Sequence, residues 1–108
     1  MAKLPKTPKY PLEEVKRLVR AKAWRLTGSA EDSARVELGM MGPQVLQCVL
    51  SLKASDFYKQ MESDKCPGLW QDVYRPTVVA PLHQGGVVVY CKVQIDAGVT
   101  VVISFKVK

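Results

Sequence analysis

The chain is 108 residues long, enough for one hydrophobic core and too short for two. Its 16 Lys and Arg outweigh 10 Asp and Glu for a formal charge of +6, which favours a polyanionic partner such as nucleic acid or an acidic protein, although lysine also serves solubility alone. The three cysteines, Cys48, Cys66 and Cys91, are widely spaced without a C-x-x-C pair, so neither a disulfide framework nor a zinc site is expected.

Residues 1–10 mix Lys with Pro and show no hydrophobic period, which predicts a flexible basic arm ahead of a single domain over 11–108. Nowhere do about 18 apolar residues follow one another, so neither export nor a membrane partner is expected, and the cytoplasm is the default compartment. Pro11 suits a first helical turn. In PLEEVKRLVRAKAW, Leu12, Val15, Leu18 and Val19 share one face while Glu13, Glu14, Lys16, Arg17 and Arg20 fall elsewhere, the pattern of an amphipathic helix. A short strand is expected over Trp24 to Leu26. Ser29 and Asp32 have the spacing of a capping box, for a second helix that carries Ala30, Ala34 and Leu38 and ends near Gly39. Pro43 opens a third, largely buried helix with Val45, Leu46, Val49 and Leu50, in which Cys48 reads as a small core residue.

The second half is rich in β-formers: Phe57 to Met61, Trp70 to Val79, Val87 to Ile95 and Val99 to Val107, separated by Gly, Pro or Asp. Helices first and strands afterwards point to an α+β fold with N-terminal helices packed on an antiparallel sheet. In VVVYCKVQI the odd positions Val87, Val89, Cys91, Val93 and Ile95 are apolar, and Val101, Ile103, Phe105 and Val107 continue that parity. A three-residue loop of Asp96, Ala97 and Gly98 keeps odd opposite odd, whereas a two-residue loop would mix the faces. In that register Tyr90 opposes Ser104, Val88 opposes Lys106, and Tyr90 and Lys106 become diagonal neighbours about 7–8 Å apart on the polar face.

Several chemistries lack their residues. His83 is the only histidine, in the Gly-rich stretch PLHQGG that reads as an exposed loop, so a histidine pair or a histidine metal cluster is out of reach. The acids Asp56, Asp72 and Asp96 are scattered, Glu31 and Asp32 fit a helix start, and no metal or cofactor is expected. No Walker, dinucleotide-binding or nucleophile-elbow motif occurs. A basic sheet with Lys, Arg, Tyr and Gln can still cleave RNA, because the substrate's own 2′-hydroxyl is the nucleophile.

The stretches SDFYKQM (Ser55 to Met61) and WQDVYRP (Trp70 to Pro76), followed by a strand ending ISFKVK, resemble the motility quorum-sensing regulator (MqsR) toxins of type II toxin-antitoxin systems. The likeness runs from the first helix to the C-terminus and is strongest from Leu52 onward. It implies a RelE-like α+β microbial RNase toxin fold and a metal-independent endoribonuclease, an mRNA interferase that cuts single-stranded mRNA at GC-containing trinucleotides. It also implies a cognate antitoxin with a zinc-binding N-terminal domain and a helix-turn-helix DNA-binding domain. The active-site positions it implies are Lys59 in SDFYK, Gln71 in WQDVYRP, Tyr90 in the penultimate strand and Lys106 near the C-terminus. The chain departs from the family pattern in a longer connection from Ala80 to Gly86 and in the loop from Lys65 to Leu69.

On this reading Tyr90 or one lysine takes the 2′-proton, Lys59 or Lys106 offsets charge growing on the phosphoryl oxygens, and Gln71 orients a base or phosphate. The products would be a 2′,3′-cyclic phosphate and a 5′-hydroxyl end. Arg75 and Lys92 are candidate phosphate contacts, and Tyr58, Tyr74 and Trp70 candidate base-stacking residues, with core packing favoured for Trp70. Asp72 and Arg75 are close enough in sequence for a local ion pair. The alternatives are a basic domain that binds RNA or DNA without cutting, or an inert partner-binding subunit whose strand edges the antitoxin completes.

Overall fold

In the computed structural model, residues 7–108 are described. Helix α1 (Leu12–Arg20) carries Glu13 and Glu14 in its first turn and Arg17 and Arg20 in its last, charges that suit the two ends of the helix dipole. Its apolar face buries Val15, Leu18 and Val19. Lys16 Nζ donates to the Leu52 carbonyl at 2.6 Å and so ties α1 to the chain leaving the third helix.

After β1 (Trp24–Leu26) comes α2 (Gly28–Ser33), and its cap is not the expected Ser29. Thr27 is the N-cap: its Oγ1 accepts the Ala30 N–H at 3.0 Å and donates to the Ile103 carbonyl at 2.8 Å, so one hydroxyl both starts the helix and pins it to the last strand. The helix passes into a π-helical turn (Ala34–Leu38) and stops at Gly39, whose φ of 73° is left-handed. A β-carbon on Gly39 would also lie 3.0 Å from Leu82 Cγ. Helix α3 (Gly42–Leu50) buries Val45 and Val49, and Gln44 Oε1 caps its start by accepting the Met41 N–H at 2.8 Å.

The remaining strands are β2 (Phe57–Glu62), β3 (Trp70–Tyr74), β4 (Thr77–Ala80), β5 (His83–Asp96) and β6 (Val99–Val107). The sheet order is β1-β6-β5-β3-β2, with β4 also on β5. The α+β arrangement is as expected, but the sheet is mixed, because β1 runs parallel to β6. The single strand expected over Trp70 to Val79 is broken at Arg75 and Pro76, since proline has no N–H to give a ladder. The register continues across the break: Tyr74 faces Cys91 and Thr77 faces Val88, which brings Arg75 level with Tyr90. The long connection from Ala80 to Gly86 is a hairpin rather than a loop. His83 begins β5, partly buried, with Nε2 2.9 Å from the Glu37 carbonyl.

The β5–β6 register also differs from expectation. Asp96 pairs with Val99 across a two-residue turn in which both Ala97 (φ 52°) and Gly98 (φ 75°) have positive φ, the geometry of a type I′ hairpin. That turn mixes the parities, and a bulge corrects it. Val93 faces Val102 but Lys92 faces Ser104, leaving Ile103 unpaired, so that beyond the bulge Cys91 faces Phe105 and Tyr90 faces Lys106. Val102, rather than Val101 or Ile103, therefore joins Phe105 in the core beneath the helices, while Val101, level with Gln94, is buried on the other face.

The helices cover one face of the sheet. Val15, Val19, Leu38, Val45 and Val49 pack there against Tyr74, Val89, Cys91, Val93, Val102 and Phe105. Cys48 is partly buried beside this core, and burial pushes the Cys91 thiol up to about 12. The expected arm over residues 1–10 lies outside the described residues for 1–6. Beyond them, Gln60 Nε2 donates to the Thr7 carbonyl at 2.9 Å, while the Lys9 and Tyr10 N–H groups donate to the two carboxylate oxygens of Asp72 at 2.8 and 2.9 Å. Asp72 is thus engaged by the N-terminal segment, and the expected pairing with Arg75 is not made. No helix among the described residues is long and apolar enough to cross a membrane.

Ala97 holds a left-handed conformation that costs an L-residue about 1–2 kcal/mol. Ala97→Asn, which restores the favoured Asn-Gly turn, is expected to raise stability by about 1 kcal/mol in urea denaturation.

Candidate active site

On the face of the sheet away from the helices, three cross-strand rows follow from the register. Lys59, Val73, Lys92 and Ser104 form the middle row. On one side lie Arg75, Tyr90 and Lys106, and on the other Met61, Gln71 and Gln94. Because side chains alternate along each strand, residues 90, 92 and 94 of β5 all point to this face.

Tyr90 is the hub. Lys106 Nζ lies 5.4 Å and Lys92 Nζ 5.8 Å from its ring centroid, and its hydroxyl donates to Met61 Sδ at 3.7 Å. Burial raises the Tyr90 pKa, opposed by the positive charge of Arg75 and reinforced by Tyr58. The phenol therefore stays protonated and can donate a hydrogen bond. Direct opposition brings the Tyr90 and Lys106 β-carbons to about 4.5–5.5 Å, closer than the expected diagonal.

Tyr58 occupies a second irregularity: the β2–β3 register shifts between Phe57 and Lys59. Phe57 packs edge-on against Tyr74 in the core, while Tyr58 is 41% exposed. The Arg75 guanidinium carbon lies 3.4 Å from the Tyr58 ring centroid, and Lys59 Nζ lies 5.5 Å from it. Stacking orders Arg75, whose Nε is buried without a hydrogen-bond partner among the described residues. Tyr74, a candidate for base stacking, is fully buried, and burial pushes its phenol pKa up, so it packs the core instead.

Gln71 is brought to the same face but stands apart from the cations. It is nearly buried, and its Nε2 donates to Gln94 Oε1 at 3.0 Å. Trp70 is partly buried at the start of β3, its carbonyl accepting the Tyr10 hydroxyl at 2.8 Å. Lys59 and Lys106 are exposed and Lys92 is partly buried. Desolvation lowers the Lys92 pKa; Asp64, in the β2–β3 loop, raises it, and the charges of Lys106 and Lys59 lower it further. Sequence reasoning missed Met61, Gln94 and Asp64. The alternation of β5 already placed Gln94 beside Tyr90 and Lys92, whereas nothing local placed Asp64 near Lys92. Among the described residues, no three His, Cys, Asp or Glu side chains converge to hold a metal ion.

Residues 7–107 match the family model described as motility quorum-sensing regulator, toxin of MqsA. The chain belongs to the motility quorum-sensing regulator toxin family. Among curated proteins, the chain is similar to the mRNA interferase toxin MqsR of Escherichia coli (strain K12), 39% identical over 103 residues, spanning 95% of this chain and 97% of the relative. The MqsR-family match thus takes in all the strands that build the three rows.

Gln94→Leu would leave the Gln71 amide nearly buried without its acceptor, and is expected to cost about 1–3 kcal/mol of stability in urea denaturation.

Proposed function

We propose that this protein is the toxin of a type II toxin-antitoxin system, an endoribonuclease that cleaves single-stranded mRNA at GC-containing trinucleotides and is neutralised by a cognate antitoxin. The observation that carries this reading is the cluster of Lys59, Lys92, Arg75 and Lys106 around Tyr58 and Tyr90 on a face that the helices leave open. The family match and the relative's printed name support it.

Such a surface suits RNA. Lys59, Lys106 and Arg75 attract the backbone, and Tyr58, rigidified by Arg75, offers a stacking face for a base. The substrate brings its own 2′-hydroxyl, so the protein need only hold it in line with the phosphorus and manage charge and protons. As the 2′-oxygen attacks, negative charge grows on the non-bridging oxygens. Lys59, Lys106 and Arg75 offset it, and the Tyr90 hydroxyl donates to one of them. Gln71, held by Gln94, orients a base or phosphate beside the row of cations. The products are a 2′,3′-cyclic phosphate and a 5′-hydroxyl end.

Purified protein incubated with single-stranded RNA in EDTA is expected to cut it, leaving cyclic phosphate ends, and to spare the same strand with 2′-deoxy sugars. Mapping the new 5′ ends tests the trinucleotide preference, and growth arrest relieved by the antitoxin tests the toxin role. Folded Lys106→Ala is expected to lose ~10²-fold or more in cleavage rate, as loss of one charge-stabilising donor does elsewhere. Tyr58→Ala is expected to weaken RNA binding ~10-fold through lost stacking, measured with the deoxy strand. Full cleavage by the Lys106 variant would overturn the role given to that residue.

A further inference from the structure

Three lysines and an arginine crowd this face, and their settings differ. Lys59 ends the middle row on β2, and Lys106 lies across from Tyr90 on β6; both are exposed. Lys92 is central. It is flanked by Val73 on one side and Ser104 on the other, with Tyr90 and Gln94 before and after it on its own strand. Val73 is fully buried, so the Lys92 stem lies along an apolar floor.

We propose, on the basis of the nuclease reading above, that Lys92 is the catalytic residue that takes the 2′-hydroxyl proton, acting as a neutral amine. A general base must be partly unprotonated at working pH and within reach of the proton it removes. Desolvation and the positive charges of Lys106 and Lys59 favour the neutral amine at Lys92, with Asp64 the opposing charge. Among the described residues, Tyr90 also faces it, with its ring centroid 5.8 Å from Lys92 Nζ, and Arg75 lies on the same face, level with Tyr90. Tyr90 suits the task less well, because its burial keeps the phenol protonated. An arginine side chain is not a base for such a step.

The 2′-proton moves to Lys92 Nζ, the 2′-oxygen bonds to phosphorus, and the bond from phosphorus to the 5′-oxygen breaks. The departing 5′-oxygen takes a proton from the Lys106 ammonium. One amine has become an ammonium and one ammonium an amine, and solvent exchange resets both. No oxidant, reductant or metal enters the step.

Lys92→Arg separates this role from simple phosphate binding, since arginine supplies a positive charge and cannot serve as a base. The variant is expected to fold, to bind the 2′-deoxy strand within ~3-fold of wild type, and to lose ~10²- to 10⁴-fold in single-turnover cleavage. In the wild type, the cleavage rate should rise with pH along a limb whose midpoint lies below the ordinary lysine value. Asp64→Asn should move that limb to lower pH, because the carboxylate that favours the ammonium is gone. The Lys92 side-chain resonances, followed by NMR in the uncut wild-type protein, should titrate at the same midpoint, a readout that does not depend on the arginine variant folding. Cleavage by Lys92→Arg within ~3-fold of an active wild type overturns the assignment and leaves the nuclease reading intact. A Lys92 titration that does not coincide with the limb does the same. A wild-type chain that cuts no RNA overturns both.

Discussion

Tyr90 faces Lys106 because of a pairing between two strands and one bulge within it. The Ala97-Gly98 turn starts the β5–β6 ladder out of phase with the apolar pattern of β6, and the unpaired Ile103 brings it back. Nearer the turn Val102 enters the core, and beyond the bulge Phe105 does, so both ends of the strand bury an apolar residue. Had the ladder continued without the bulge, the outer half of β6 would have presented Lys106 to the helices and Phe105 to solvent. The cost of one unpaired residue is small beside that of burying a lysine there. Thr27 braces this point, since its hydroxyl donates to the Ile103 carbonyl while capping α2.

The same economy appears at the opposite edge of the site. The irregularity at Tyr58 lets Phe57 fill the core against Tyr74 while Tyr58 and Lys59 serve the open face. Pro76 interrupts the strand next to Arg75 without disturbing its register on β5, so Arg75 is level with Tyr90 and rests on Tyr58. Two register shifts and a proline break thus shape one patch. At its centre Val73 pairs with Lys59 on one side and Lys92 on the other, and both register shifts lie beside that row.

Charge crowding of this kind has a cost that the fold meets by exposure. Lys59 and Lys106 keep their ammonium groups in water, and the half-covered Lys92 carries the desolvation. Asp72, by contrast, is wholly buried, and burial raises its pKa against the two N–H donors of Lys9 and Tyr10. A carboxyl whose folded pKa is raised stabilises the fold below its unfolded pKa, and that contribution is lost as pH rises through the folded value. Ionising Asp72 thus comes at some expense of stability, while its two N–H bonds anchor the segment leading into α1.

Much of this was legible in the residues themselves. The periodicity of α1, the buried character of α3 and the odd-residue core face of β5 depend only on local hydrophobic pattern, which is why their expected and observed faces agree. The SDFYK and WQDVYRP stretches and the closing ISFKVK strand carried the resemblance, which implied Lys59, Gln71, Tyr90 and Lys106 as site positions, while alternation by itself had put Tyr90 and Lys106 on one face. The β6 register was not legible, because a bulge is set by how a turn and a core face conflict across two strands, and neither strand alone records it. For the same reason the cap at Thr27 rather than Ser29, the withdrawal of Tyr74 into the core and the engagement of Asp72 by Lys9 and Tyr10 depended on partners far away in sequence. The sequence by itself determined which chemical groups were available and which strands would carry them. Only the tertiary structure decided which lysine would be half-buried among the others, because desolvation and the field of neighbouring charges belong to the assembled sheet.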